Sequence, residues 1–174
     1  NNQVKECFHD WIENLKKVRN LSDNTLTSYK NDIEKFLIFS KDHFGGSLSI
    51  SDLDSMQISD FRSFLSFLRN QGIGTTSIAR VISSLKSFFN FLVKNEKIKN
   101  STLQSLKSPK VKKSLPRPIS ADLAIEAIKY SQEIEKEKWV GLRNKSILML
   151  LYGCGLRISE ALNLNYDDIN ENEY

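Results

Sequence analysis

Apolar positions recur at helical spacing along most of the chain. Val4, Phe8, Trp11, Ile12, Leu15 and Val18 fall at i, i+4, i+7, i+8, i+11 and i+14, which predicts an amphipathic helix over about 4–18. A second helix is predicted over about 24–42. It places Leu26, Tyr29, Ile33, Phe36, Leu37 and Ser40 on one side, with Ser22 or Asp23 as N-cap and Gly45-Gly46 as its stop. Residues 50–58 read as turn, after which Ser59 caps a short helix carrying Phe61, Phe64, Leu65 and Leu68 and closed by Gly72-Ile73-Gly74. The helix from about Thr76 to Asn95 has a buried stripe of Ile78, Ile82, Leu85, Phe89 and Leu92. Further on, Ile119-Ser120-Ala121-Asp122-Leu123 predicts a capped start with Ala124, Ala127 and Ile128 inward, and Glu133 to Glu137 a solvated helix end or loop. The apolar run 146–152 predicts a buried helix. It ends at Gly153-Cys154-Gly155, and a new helix follows with Arg157 in its first turn.

The polar positions change the picture on two of these helices. The second carries Thr27, Lys30, Asn31 and Lys35 away from its apolar side. The helix over 76–95 carries Arg80, Ser83, Ser84, Ser87, Asn90 and Lys94 opposite its stripe, with Lys86 at the edge. Short side chains let a phosphate backbone approach closely and the cations neutralise it, so these arcs are candidate duplex-DNA contacts. An ordinary solvated helix face carries the same residue types.

Composition fixes the class. With 40% hydrophobic and 26% charged residues the chain is an ordinary folded protein. Its net charge of +4 is unevenly spread: residues 1–100 carry 14 basic and 11 acidic side chains, 101–118 carry 5 and none, and 119–174 carry 6 and 10. The middle segment holds Lys107, Lys110, Lys112, Lys113 and Arg117 among Pro109, Pro116 and Pro118, so it reads as a basic linker rather than a helix. Extended at about 3.1 Å per residue it spans roughly 55 Å, enough to pass around a duplex. A merely solubilising linker would have the same composition.

The first 20 residues have no secretory core, and no run reaches the ~18 apolar residues of a membrane span. Cys7 and Cys154 lack neighbouring partners and fit a reducing, cytoplasmic setting. His9 and His43 do not form a metal-ligand pattern, so neither metal nor cofactor is expected. Asn1 in place of Met, and a final residue just past a helical pattern, predict a piece of a longer chain.

The stretch Arg143 to Asp168 is the candidate chemistry. An arginine at a helix N-terminus opposes the macrodipole by about 0.3–1 kcal/mol, and the open N–H groups there favour an anion. A bound phosphate resolves both, with Glu160 one turn on to fix the guanidinium plane. A surface Arg157–Glu160 pair worth about 0.2–0.5 kcal/mol is the plainer alternative. Leu-Leu-Tyr-Gly-Cys-Gly-Leu-Arg-Ile-Ser-Glu-Ala-Leu-Asn-Leu (Leu150 to Leu164) resembles the first catalytic box of the tyrosine recombinases, the phage-integrase and Xer-type family. Leu21 to Tyr29 and Thr76 to Phe89 resemble the second and fourth helices of that family's core-binding domain, which cross the major groove. Ser101 stands where many relatives have proline.

The resemblance covers nearly the whole chain and implies a mainly α fold. A four-to-five-helix SAM-like core-binding domain would occupy 1–100, the basic linker 101–118, and the first helices of an α+β catalytic domain 119–174, with 164–169 leading into its first hairpin. It implies that Arg157 binds the scissile phosphate and that Glu160 orients it. It also implies DNA contacts from Thr27, Lys30, Lys35, Arg80, Ser83, Ser84, Lys86, Ser87, Asn90, Lys112, Lys113 and Arg117. The parent would act as a tetramer on DNA, with or without a partner recombinase, through a 3′-phosphotyrosine intermediate and without metal or nucleotide. The family's hairpin lysine, His-x-x-Arg box, further histidine or tryptophan and nucleophilic tyrosine have no counterpart in residues 1–174, so the chain alone is expected to be inactive. A non-catalytic DNA-binding protein on the same fold is the alternative, and a helical protein-interaction module with no DNA role a third.

Overall fold

The computed structural model describes residues 2–111 and 117–168. Among them are eight α-helices, two 3-10 turns and no strand. The chain divides into two compact units, Asn1–Lys113 and Ser114–Tyr174.

In the first unit, α1 (Asn2–Lys17) buries Val4, Cys7, Trp11 and Leu15, spaced three or four apart as the pattern predicts. It stops before Val18, which is 73% exposed rather than inward. The reversal runs through Asn20 in the left-handed region (φ 46°), a conformation asparagine tolerates better than most residues. Helix α2 (Asp23–His43) is N-capped at Ser22, although the Ser22 hydroxyl pairs with that of Thr25 (2.9 Å) rather than with the backbone. Gly45 and Gly46 then take positive φ, and the Gly46 N–H closes on the Lys41 carbonyl at 2.7 Å.

Two expectations change here. Residues 50–58 are not all turn, because α3 (Ile50–Ser55) forms on a reciprocal cap. The Asp52 carboxylate accepts from the Ser49 N–H (2.7 Å), and the Ser49 hydroxyl accepts from the Asp52 N–H (3.2 Å). Helix α4 (Ile58–Asn70) is capped at Gln57 rather than Ser59, because Asp60 accepts from the Gln57 N–H at 2.8 Å. Helix α5 (Thr75–Lys94) completes the bundle.

The core is aromatic. Phe36 of α2 meets Phe61 (5.9 Å between ring centroids) and Phe64 (5.3 Å) of α4 and Phe89 (6.0 Å) of α5, while Trp11 of α1 meets Phe88 of α5 at 5.3 Å. The segment after α5 joins this core. Asn100 donates to the carbonyls of Leu53 and Met56, both at 3.0 Å, and the Asp54 carboxylate accepts from the N–H groups of Lys99 and Asn100. A 3-10 turn (Thr102–Ser105) then seats Leu103, and Leu106 just beyond it, in the interior. The linker expected from Ser101 therefore starts later, since burying two leucines outweighs the polar composition around them.

In the second unit, α6 (Ala121–Glu133) starts at Ser120, whose hydroxyl accepts from the Leu123 N–H at 3.4 Å. Ala124 is buried, Ile128 half-buried and Ala127, expected inward, exposed. The exposed loop 134–137 leads to α7 (Lys138–Gly153), and α8 (Ile158–Leu162) follows. Helix α7 is not the buried helix the run 146–152 predicts. Its apolar residues surround the helix, α6 covers part of it, and Trp139, Leu142, Met149 and Tyr152 remain exposed. At Gly141 the backbones of α7 and α6 lie close together: a Cβ there would lie 2.7 Å from the Gln132 carbonyl oxygen.

Cys7 is buried and Cys154 exposed. Burial pushes the Cys7 thiol up, which keeps it protonated, against a smaller opposing pull from Lys97.

Phe36→Ala should cost about 3–5 kcal/mol in urea unfolding of the first unit, the range for a truncated core aromatic. Gly141→Ala should destabilise the α6–α7 pair by about 1–3 kcal/mol, because the obstacle is backbone and cannot swing away. Faster hydrogen exchange in 138–153 would report it.

Candidate nucleic-acid interface

Helices α2 and α5 lie against each other, and a polar node sets their register. Asp32 of α2, 4% exposed, accepts from the Ser84 hydroxyl of α5 (3.1 Å) and pairs with the Arg80 guanidinium (3.2 Å). Ser84 is thus not on the outward arc as its polarity suggests. It lies with Val81, Leu85 and Phe88 on the buried side, and its hydroxyl also reaches the Val81 carbonyl at 2.9 Å. Arg80 stays 41% exposed on the outer side of the pair.

The rest of the α5 arc is open or half-open. Ser83 and Asn90 are exposed, Lys86 and Ser87 half-buried. Ser87 accepts from the Trp11 indole N–H and from Arg19, each at 3.3 Å, so the bonding pattern adds Arg19 to this face. Lys86 donates to the Gln104 carbonyl (3.4 Å), and the Gln104 amide donates to Asn90, tying the arc to the 3-10 turn. On α2, Thr27, Lys30 and Lys35 are exposed, and Lys30 makes only a loose pair with Glu34 at 3.9 Å. Lys107, Lys110 and Arg117 are exposed, while Lys112 and Lys113 lie outside the described residues.

Sequence reasoning missed Asp32 and Arg19. A carboxylate in a polar-looking run gives no sign of burial, and Arg19 lies past the end of α1, where helical phase stops guiding. Burial raises the Asp32 carboxyl above its ordinary range, while Arg80, Ser84 and Lys35 pull it down by less.

In the second unit, α7 ends at Cys154, the Leu150 carbonyl accepts from the Cys154 N–H at 3.1 Å, and Gly155 turns the chain at φ +68°. Arg157 is not inside the next helix but just before it, extended at φ −72°, ψ 154°. Glu160 accepts from the Arg157 backbone N–H (2.7 Å) and from its guanidinium (2.8 Å). A guanidinium has no acceptor, so this is only the returning half of a capping box. It places a carboxylate at the positive end of α8, which removes the dipole mismatch expected of an arginine there. The backbone bond first, and the guanidinium second, hold the Glu160 carboxyl below the usual range. The Arg157 side chain remains 84% exposed, with most of its donors facing outward. Residues 166–168 form a 3-10 turn, and the expected hairpin beyond lies outside the described residues.

Residues 8–96 match the phage integrase N-terminal SAM-like domain, and residues 122–173 match the phage integrase family. The chain is 38% identical over 162 residues to a tyrosine recombinase XerC of Brucella suis, covering 93% of this chain and 51% of that protein. It is 36% identical over 166 residues to the XerC of Mesorhizobium japonicum (95% and 53%), and 35% over 164 residues to that of Rhodospirillum centenum (94% and 48%). The chain spans about half the length of the curated relatives it matches. Among the described residues, no helix is long and apolar enough to cross a membrane.

The Asp32 node has a pH signature. With its folded pKa above the ordinary 3.8, the folded state binds more protons than the unfolded one between those two values. Its contribution to stability should fall as pH rises through that window and level off above it. Asp32→Asn should remove this fall, as measured by urea unfolding across pH.

Proposed function

The chain belongs to the phage integrase family of tyrosine recombinases, and on that footing we propose that its first unit grips duplex DNA and its second presents the first catalytic arginine. The DNA-facing groups are Thr27, Lys30 and Lys35 of α2 with Arg80, Ser83, Lys86, Ser87 and Asn90 of α5, continued by Lys112, Lys113 and Arg117. Ser84 acts from behind, through Asp32. Relatives that carry the name tyrosine recombinase support this reading.

The observation that carries it is the Arg157 guanidinium, exposed yet held along one edge by Glu160 at 2.8 Å. Among the described residues Glu160 is its one acidic partner, and a guanidinium held along one edge in this way suits a phosphate oxygen. Glu160 thereby orients Arg157. In the full-length parent a tyrosine hydroxyl attacks the scissile phosphorus and the sugar 5′ oxygen leaves. A 3′-phosphotyrosine link keeps the bond energy for rejoining without metal or nucleotide. Charge gathers on the non-bridging oxygens in the transition state, where Arg157 stabilises it. We assign this strand exchange to a cytoplasmic tetramer on two duplexes, alone or with a partner recombinase.

Residues 1–174 contain no His-x-x-Arg sequence, and on this reading the nucleophile and the other catalytic groups belong to the rest of the full-length parent. These 174 residues should therefore bind DNA without cleaving it. On a nicked suicide duplex they should give no covalent adduct, and the appearance of one would refute the assignment. In the full-length parent, Arg157→Ala should slow cleavage by about 10²–10³-fold, the usual loss for one transition-state donor.

Binding itself is read by fluorescence anisotropy on a duplex of about 30 base pairs. Affinity should fall steeply with salt, and Lys30→Gln, Lys35→Gln and Lys86→Gln together should flatten the log–log slope by about 0.9 for each phosphate no longer neutralised. An unchanged slope would remove the α2–α5 face from the interface.

A further inference from the structure

Helix α4 has a second face that the proposed interface does not use. Its apolar side chains Phe61, Phe64, Leu65 and Leu68 turn into the core, which leaves Arg62, Ser66 and Arg69 at i, i+4 and i+7 along one exposed strip, with Ser63 beside them. The segment after the 3-10 turn runs alongside this strip, because Leu106 is pinned in the core. Between them lies a groove of about 830 Å³. Three cations line it, Arg62, Arg69 and Lys107, together with the hydroxyls of Ser63, Ser66 and Ser105, and no carboxylate does. Among the described residues none of the three cations makes a salt bridge. Exposed cations on a folded surface generally gain from a nearby acid, and a groove with three cations and no acid is a potential well for an anion.

The floor of the groove bears on which anion it suits. Leu65, Ile82 and Leu106 form it, and Ile82 belongs to α5. One turn further along the same row, Lys86 holds the carbonyl of Gln104, the residue before Ser105. The groove is therefore continuous with the polar arc of α5. Guanidinium forks and short hydroxyls over an apolar floor match a chain of phosphodiesters, with the sugars against the floor and the charged oxygens toward the cations.

We infer that the α4 groove is a further phosphodiester-backbone site, which extends the DNA interface from the α5 arc around the α4 side. It rests on the reading of α2 and α5 as the DNA face. The site fixes position and carries no base selectivity, so it strengthens cognate and non-cognate duplexes alike.

The test uses the 174-residue chain in the anisotropy assay, with Arg62→Gln/Arg69→Gln compared with the α2–α5 variant bearing Lys30→Gln, Lys35→Gln and Lys86→Gln. Both arginines are exposed, so circular-dichroism melting should be unchanged by the double substitution. The expected result is a log–log salt slope shallower by about 1.8, two phosphates at about 0.9 each, with equal weakening on unrelated sequences. If the double variant keeps the wild-type slope while the α2–α5 variant flattens it, the DNA reading stands and the groove assignment is overturned. If wild-type protein fails to bind any duplex at low salt, the DNA reading falls and this inference falls with it. Phosphate and chloride buffers matched for ionic strength separate a backbone site from a pocket for the free anion. Weakening of wild-type DNA binding in phosphate that the double variant lacks supports the backbone site, because the free anion then competes with DNA at the two arginines, whereas phosphate that binds wild type through these arginines and leaves its DNA affinity unchanged overturns it. Retention of an acidic polypeptide by the groove, with no change in DNA slope, would also overturn it.

Discussion

A carboxylate out of water must be satisfied where it lies, and in this protein that requirement fixes two helices to each other. Asp32 is almost wholly buried between α2 and α5, and it is met by a hydroxyl and a guanidinium that both come from α5. Sliding or rotating either helix by one residue would leave the acid unpaired at low dielectric, which is far more costly than shifting an apolar neighbour. Apolar packing, including the aromatic cluster around Phe36, drives the helices together, but it tolerates several registers. The polar node selects one, and so determines which α5 residues face outward.

That distinction explains what could be read from the sequence. Helices α1, α2, α4 and α5 were legible because each has enough turns for a stripe to stand out. Helix α3 was not, because six residues carry too little periodicity, although Ser49-Ile50-Ser51-Asp52 holds the whole capping signal. Ser84 was misplaced because serine fits either side of a helix, and only its partner decides. Leu103 and Leu106 were hidden inside a segment whose lysines and prolines dominate its composition. In the second unit the apolar run of α7 was visible, but what covers it was not, since a helix apolar all round does not announce which side its neighbour takes.

The arginine site was legible to a different degree. The spacing of Arg157 and Glu160 announces a side-chain pair, and the structure contains it. The backbone bond from Arg157 to the same carboxylate has no signature in residue type, because it depends on the extended conformation just before α8. With both bonds made, Glu160 serves two ends of one residue at once: it closes the helix start and steadies the guanidinium. The cation is thereby held in place by the same carboxylate that begins the helix.

The two thiols differ in a way that bears on how this protein could be watched at work. Cys7 sits in the core and is kept protonated by its surroundings, while Cys154 lies exposed at the end of α7, three residues before Arg157. A thiol-directed dye added to the native protein would therefore settle beside the arginine and leave the core alone. The chain therefore carries its own labelling position, three residues from Arg157, without a single engineered residue.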